Sequence, residues 1–487
     1  SAAYDYANLH DEREQNSSDA DLKNVVGNSS AATRPTDTMR RTSRLTHEQE
    51  AIVSTSLRPP QWMVVHAFAG SGKTTITLGL LRALSRRGKV VRGAKSGPDY
   101  IDPRFHEAAC GHPCPNLDAW AMTPERIRAM ASGNGTLLIE GAMGLFDGAP
   151  PDGKGATADL ARILDLPVIL VVDASRLAGS VAPLVQGFAG FDTAVRIAAV
   201  ILNATGSERH EVILTRALAP LGLPVLGAIR RDRALSQPSR HLGLVQAGER
   251  PDLDAFLDAA ADRVEAGIDL DALLALAAPL TPAPQLAPIP APASSIAIAS
   301  DQAFAFAYPH LIADWQRSGA AIKTFSPLAD EAAPEADFIF LPGGYPELHA
   351  GRIASNQRFL GSLRDAAARS VPVYGECGGY MVLGQSLTDG EGKRHKMAGL
   401  LELETSFAAR RLHLGYRRVH TITGPFAGTW AAHEFHYATT IKAEGPPLFV
   451  AEDAQGAELG PMGLVNGSVS GSFAHLIAPA ATATRQE

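Results

Sequence analysis

Val371–Tyr380 reads VPVYGECGGY. An apolar run enters Gly375-Glu376-Cys377-Gly378-Gly379, and small residues around the cysteine permit the sharp strand-to-helix turn that exposes a nucleophile. The same turn sets the Gly378 N–H where an oxyanion would form. Upstream, Leu341-Pro342-Gly343-Gly344-Tyr345 is a second apolar run ending in glycines, and Gly344 can supply the other N–H of an oxyanion hole. A thiolate needs a base. The histidines within reach of this chemistry are His433 and His436 in HEFHY and His475 in GSFAH. The strand-like Leu464–Val469 ahead of GSFAH would carry His475 to the end of the sheet where Cys377 sits. HEFHY alternates, with His433 and Phe435 on one side and Glu434 and His436 on the other, so a strand there holds at most one inward histidine. His475 is therefore the expected base. No Asp or Glu follows it at close spacing, which predicts a Cys–His dyad. A free cysteine is more often an inert core residue than a nucleophile, and Cys110 and Cys114 read that way.

A second chemistry lies near the front. Ala67–Thr75 reads AFAGSGKTT, in which Gly70, Gly72, Lys73, Thr74 and Thr75 form the working part of a phosphate loop. Glycines let backbone N–H groups turn inward around a phosphate, the lysine meets the terminal phosphates, and the threonine hydroxyl binds Mg²⁺. Ala67 stands where the usual pattern has its first glycine. A further acidic ligand belongs at the end of a neighbouring strand. Leu137-Leu138-Ile139-Glu140 fits, because the apolar run stops abruptly in a carboxylate, and Glu140 is the expected partner of Thr74 on the metal.

Both sites need strands that end in loops. Met63–Ala67, Lys89–Arg92, Thr136–Ile139, Val168–Val172 and Ala198–Leu202 read as strands, with a helix over Ile76–Leu84 and other helical stretches between. Ser295–Ala299 begins a second alternation, continued at Phe338–Leu341 and Val371–Tyr374. Strands alternating with helices predict parallel sheets covered on both faces, hence two doubly wound α/β domains. PLTPAPQLAPIPAP over 279–292 cannot build a ladder or a helix interior and behaves as a stiff spacer. Residues 1–41 are polar and predict disorder. The expected layout is an extension over 1–57, a phosphate-loop domain over 58–278, a linker over 279–293 and a thiol-bearing domain over 294–480.

Composition narrows the function class. Of 487 residues, 20% are charged and 45% hydrophobic, with a net charge of −7, which offers nothing to nucleic acid or an anionic membrane. No apolar run reaches the ~18 residues a membrane helix needs. Three cysteines build no disulfide framework and predict a reducing cytoplasm.

Longer motifs connect the two chemistries. KSGPDYIDP (95–103), NLDAWAM (116–122), EGAMGLFDG (140–148), PSRHLGLVQAGE (238–249), PGGYPE (342–347), YGECGGYMVLG (374–384), LGYR (414–417) and HEFHY (433–437) together resemble the cobyrinic and hydrogenobyrinic acid a,c-diamide synthases. The resemblance runs from about Met63 to Ala478. It implies an ATP-dependent amidoligase domain, similar to dethiobiotin synthetase, joined to a class I glutamine amidotransferase domain. It further implies a corrin acid and glutamine as substrates, ATP and Mg²⁺ as cofactors, acyl-phosphate intermediates, and room for a homodimer. By position, Lys73 and Thr74 match the phosphate and Mg²⁺ residues and Glu140 the strand-end acid. Asp99, Asp102 and Asp147 match catalytic positions lining the synthetase site, Tyr100 a substrate position, and Asn203 the region that meets adenine. Cys377 matches the nucleophile and His475 the histidine that serves it. The Ala/Pro/Arg-rich style and PSRHLGLVQAGE are closer to the enzymes that amidate metal-free hydrogenobyrinic acid. The alternative is cobyrinic acid, on the anaerobic route.

The front departs from that family. LTHEQEAIVSTSLRPPQWMVVHAFAGSGKTT (45–75) resembles the opening of a superfamily I DNA helicase, where an LTxEQ motif precedes the phosphate loop. No later helicase motif follows, so a nucleic-acid motor lacks its second half. A binding module that kept the fold and lost the chemistry is disfavoured by the presence of Lys73, Glu140, Cys377 and His475.

Overall fold

A computed structural model describes residues 61–67, 72–232, 235, 239–240, 243–280, 283 and 285–480. The expectations placed on residues 1–57, on the helicase-like stretch ahead of the first strand, and on Gly70 lie outside the described residues.

The first domain is built on a seven-stranded sheet of β1 (Gln61–Ala67), β2 (Val91–Ser96), β3 (Asn116–Leu117), β4 (Thr136–Glu140), β5 (Val168–Asp173), β6 (Ile197–Thr205) and β7 (Val225–Arg230), in the order β3-β2-β4-β1-β5-β6-β7. Every pairing is parallel. The apolar runs of β4 and β5 are buried almost throughout, as strands covered on both faces must be. β1 lies between β4 and β5. Thr74, in the first turn of the helix that follows β1, reaches Glu140 at the carboxyl end of β4, the edge where open α/β sheets bind ligands. Helix α1 (Lys73–Arg86) starts there, with Gly72 at its N-cap in the left-handed region, φ 77°. It begins three residues earlier than the apolar periodicity indicates, because Lys73, Thr74 and Thr75 carry the first turn.

The second domain repeats the principle. β8 (Ser295–Ala299), β9 (Ala321–Phe325), β10 (Phe338–Leu341) and β11 (Val373–Glu376) join β16 (Leu464–Asn466) and β17 (Val469–Ser472) in the order β9-β8-β10-β11-β17-β16. All pairs are parallel except β16 with β17. A five-stranded antiparallel sheet is attached, of β12 (His413–Thr421), β13 (Thr429–His436), β14 (Phe449–Asp453), β15 (Glu458–Met462) and β18 (His475–Pro479), ordered β15-β14-β12-β13-β18.

Two local expectations are corrected. Leu464–Val469 is not one strand but a hairpin, turning at Gly467 with φ 58°. The two loop residues are Gly467 and Ser468, and a glycine at the first of them supplies the positive φ that a two-residue turn demands. HEFHY does lie on a strand, yet both of its histidines are inward, His433 at 7% and His436 at 3% exposure. β13 is a central strand, paired with β12 and β18, and protein covers both of its faces.

Candidate functional site

At the carboxyl end of β4 a buried ionic cluster surrounds Glu140. Thr74 donates its hydroxyl to Glu140 Oε1 at 2.6 Å, and Asp102 Oδ2 lies 3.5 Å from the same hydroxyl. Lys95, at the end of β2, donates to Asp102 Oδ2 at 2.5 Å and to Glu140 Oε1 at 2.8 Å. His106 Nε2 lies 2.5 Å from Glu140 Oε2. Asp99 steadies the start of the helix Asp102–Cys110, which carries Asp102 and His106: its Oδ1 accepts the Ile101 and Asp102 amides, both at 2.8 Å. Asn116 holds the loop from the other side, donating to the carbonyls of Gly97 and Asp99.

The charges are unevenly balanced. Burial opposes ionisation of Glu140, but Lys95 and His106 hold its carboxyl below the usual range. Asp102 is instead pushed up to about 6, first by burial and then by the charge of Asp99. Lys95 stays protonated despite burial because Asp102 and Glu140 flank it. Lys73 is lowered by burial and by the nearby Lys95 ammonium. It rests on the Met143 carbonyl at 3.3 Å. Three carboxylates (Asp99, Asp102, Glu140) thus face two ammonium groups. The oxygen-only donors Thr74, Glu140 and Asp102 suit a hard divalent cation, and the raised Asp102 marks where positive charge is lacking.

Beside Gly72 a cavity of about 350 Å³ is lined by Thr75, Asp173, Asn203, Arg230, Arg231 and Arg263, among others. A methyl group on Gly72 would meet the Asn203 amide at 2.5 Å, so loop and amide are in direct apposition. Asp147 is not in the ionic cluster. It is exposed and accepts the Gly144 amide at 2.9 Å, closing the turn after β4.

The cysteine site lies at the carboxyl end of β11. Cys377 has φ 43° and ψ −101°, the strained conformation of an elbow between a strand and a helix. Its amide donates to Ser472 O at 2.8 Å, which ties the elbow to the end of β17. Three residues later β18 begins with His475, paired in register with His433. A methyl group on Gly343 would meet the His475 ring at 2.3 Å and Cys377 Cβ at 3.2 Å, so histidine and cysteine flank the same glycine. On Gly378 a methyl would come within 3.0 Å of the Gly344 amide nitrogen, so the two anticipated oxyanion donors are neighbours. Burial, followed by the charge of Glu347, raises the Cys377 thiol, while the Gly378 N–H opposes the rise. Burial and the neighbouring His433 and His436 lower His475 to about 3. The resting pair is therefore held neutral, and burial resists a charge on either member.

Several participants escape the sequence reading. No carboxylate follows His475 at close spacing, but Glu376 Oε2, from the residue before the cysteine, lies 3.6 Å from its Nδ1. Lys95 and Asp118 stand inside quoted motifs without an assigned role, and His106 lies just beyond one. Tyr416 of LGYR donates to Asp118 Oδ2 at 3.0 Å and stacks on Trp120 at 4.4 Å, so motifs of the two domains meet face to face. His413, Glu434 and His436 form a further cluster, in which Arg417 donates to Glu434 Oε2 at 2.8 Å.

Tyr100 joins the two sites. It is buried in the 97–102 loop, and its ring contacts His475 (centroids 4.5 Å), Tyr308 (5.0 Å) and Phe306 (5.2 Å) of the second domain.

Comparison with known proteins agrees with this two-site arrangement. Residues 62–245 match the CobQ/CobB/MinD/ParA nucleotide binding domain family, and residues 295–483 match the CobB/CobQ-like glutamine amidotransferase domain family. Proteins named hydrogenobyrinate a,c-diamide synthase from Brucella anthropi and Brucella abortus are each 56% identical over 430 residues, covering 85% of this chain and 98% of theirs. One of the same name from Rhizobium meliloti is 53% identical over 422 residues, covering 85% of this chain and 98% of its own. No helix among the described residues is long and apolar enough to cross a membrane. With a nucleotide-binding domain, a glutamine amidotransferase domain and more than half of the aligned residues identical over almost the full length of these relatives, the chain belongs to the hydrogenobyrinate a,c-diamide synthase family.

Proposed function

We propose that the chain uses ATP and glutamine to convert the a and c side-chain carboxylates of hydrogenobyrinic acid to amides, in the cytoplasm, on the path to cobalamin. The observation that carries this is the 56% identity to relatives of that name over 98% of their length.

A carboxylate does not react with ammonia in water, because an oxide or hydroxide is too poor a leaving group. Transfer of a phosphoryl group from ATP to a carboxylate oxygen gives an acyl phosphate and ADP. Ammonia then attacks the carbonyl carbon, phosphate departs, and the ammonium-like nitrogen loses a proton to leave the amide. Catalysis of this kind rests on positioning and charge neutralisation. Lys73 supplies positive charge at the terminal phosphates, and the Gly72 turn and Thr75 adjoin the α1 N-terminus where a phosphate is favoured. Asn203 adjoins the adenosine end. Thr74 and Glu140, with Asp102, would hold Mg²⁺, which when bound offsets phosphate charge. Lys95 keeps Asp102 and Glu140 ionised and in place. Asp99 shapes the 97–102 loop, Tyr100 anchors that loop against His475, Tyr308 and Phe306 beside the acyl-acceptor site, and Asp147 shapes the loop after β4.

The second domain supplies ammonia. Cys377 attacks the glutamine side-chain carbonyl, with Gly344 and Gly378 amides on the oxyanion and His475 moving the proton to the departing nitrogen. The experiment is product analysis of purified enzyme with hydrogenobyrinic acid, ATP, Mg²⁺ and glutamine. The expected product is the a,c-diamide, with two ADP and two glutamate per corrin. Steady ADP release without amide would refute it.

A further inference from the structure

We propose that Glu376 is the third member of the glutamine site, a positioning residue that holds the His475 ring through Nδ1. This rests on the reading of the second domain as a glutaminase. Glu376 Oε2 lies 3.6 Å from His475 Nδ1, with both side chains buried, at 5% and 0% exposure. The other oxygen is pinned: Oε1 accepts the Leu476 amide at 3.1 Å and the Tyr374 hydroxyl at 3.3 Å. Two donors on Oε1 fix the carboxyl plane and leave Oε2 for the histidine. Neither nitrogen of the His475 ring has a hydrogen bond of normal geometry among the described residues, and besides Glu376 only the Phe306 backbone acts on the ring as a hydrogen-bond partner. Of the two, Glu376 is the group that can carry a charge opposite to a protonated imidazole.

The placement follows from the elbow. Glu376 is the last residue of β11, and Leu476 follows His475 on β18, so one carboxyl bridges the strand before the nucleophile and the strand after the base. Family logic looks for the acid downstream of the histidine; here the chain supplies it one residue ahead of the cysteine.

The chemistry balances. The Cys377 S–H proton passes to His475 Nε2 as sulfur bonds to the glutamine carbonyl carbon and the C=O electron pair moves onto oxygen. His475 then returns that proton to nitrogen as the C–N bond breaks, leaving the thioester and ammonia; water later releases glutamate and restores the thiol. While Nε2 carries the proton, Nδ1–H donates to Glu376 Oε2. Burial pushes the Glu376 carboxyl up to about 8 and lowers His475 to about 3, so each is costly to charge alone and each offsets the other when charged together.

The test is glutamine hydrolysis by Glu376→Gln and Glu376→Asp, with ammonia-driven amidation at the other domain as the measure of folding. Glutamine keeps an acceptor for Leu476 and Tyr374 but loses the charge. The expected result is a fall in glutaminase kcat of about 100-fold with little change in KM, partial recovery in Glu376→Asp, and intact ammonia-driven activity. A Glu376→Gln kcat equal to that of the parent overturns the assignment. So does a parallel loss of both activities, which would make the carboxyl part of the scaffold. Because glutamine hydrolysis is read directly, failure of the parent enzyme to amidate the corrin would refute the substrate while leaving this test intact; thermal melting then reports folding.

Discussion

The rings of Tyr100 and His475 lie 4.5 Å apart with their planes inclined by 35°. One ring belongs to the loop that carries Asp99 and Asp102 beside Glu140 and Lys95; the other belongs to the cysteine site. A displacement of the 97–102 loop would therefore move a ring that packs directly on His475.

That contact makes a first prediction. Tyr100→Ala removes the ring, whereas Tyr100→Phe keeps it. The alanine variant is expected to lose about tenfold more glutamine-driven than ammonia-driven amidation, a loss of coupling by misplacement, and the phenylalanine variant to lose little. Equal effects on the two nitrogen sources would detach Tyr100 from the glutaminase.

Cys377→Ala is expected to abolish glutamine-driven amidation and spare synthesis from high free ammonia. His475→Ala should slow thioester formation by about 100-fold or more, and His436→Ala should do less, since His436 is occupied with Glu434 at 3.0 Å. Rapid-quench detection of the thioester separates them. A larger defect in His436→Ala would move the base to HEFHY.

Glu140→Gln removes the charge shared by Thr74, Lys95 and His106. ATP turnover with corrin should fall by about 100-fold while glutamine hydrolysis changes far less. Unaltered ADP release would strip Glu140 of its role at the metal.

Asp118 gives a pH dependence. Burial raises its carboxyl to about 6 against the partial compensation of the Ala121 amide and the Tyr416 hydroxyl. A group whose folded pKa is raised binds more protons folded than unfolded. Its contribution to stability is present below the unfolded value near ~4 and is lost as pH rises through about 6. Asp118→Asn, which cannot ionise, should therefore gain in melting temperature relative to the parent, by a few degrees, between pH 4 and pH 8. A difference that is flat with pH would mean the Asp118 carboxylate is already compensated.

Much of this was legible because parallel strands buried on both faces are continuous apolar runs, and their ends are marked by chemistry: Glu140 after Leu137-Leu138-Ile139, Cys377 after Val371–Gly375. Glycines at Gly72, Gly343 and Gly378 marked places where backbone must turn or side chains must press close. What stayed hidden depends on tertiary contact. Nothing local says that Lys95 will bridge Asp102 and Glu140, that Tyr416 will reach Asp118, or that Glu376, a member of the cysteine turn with no role of its own in the sequence, will come within 3.6 Å of His475. The Gly467-Ser468 turn is legible as a glycine-serine pair, yet the apolar residues on either side of it read as one continuous run. The alternation in HEFHY correctly gives two faces, but which faces are buried depends on strands β12 and β18, far away in sequence.

The central claim is that this chain amidates a metal-free corrin at two carboxylates. The most direct measurement offers the purified enzyme hydrogenobyrinic acid and cobyrinic acid in parallel, with ATP, Mg²⁺ and glutamine, and identifies products by mass and chromatography. The account predicts the a,c-diamide of hydrogenobyrinic acid, formed with the higher kcat/KM of the two. Amidation of cobyrinic acid alone, or of neither acid, would contradict it.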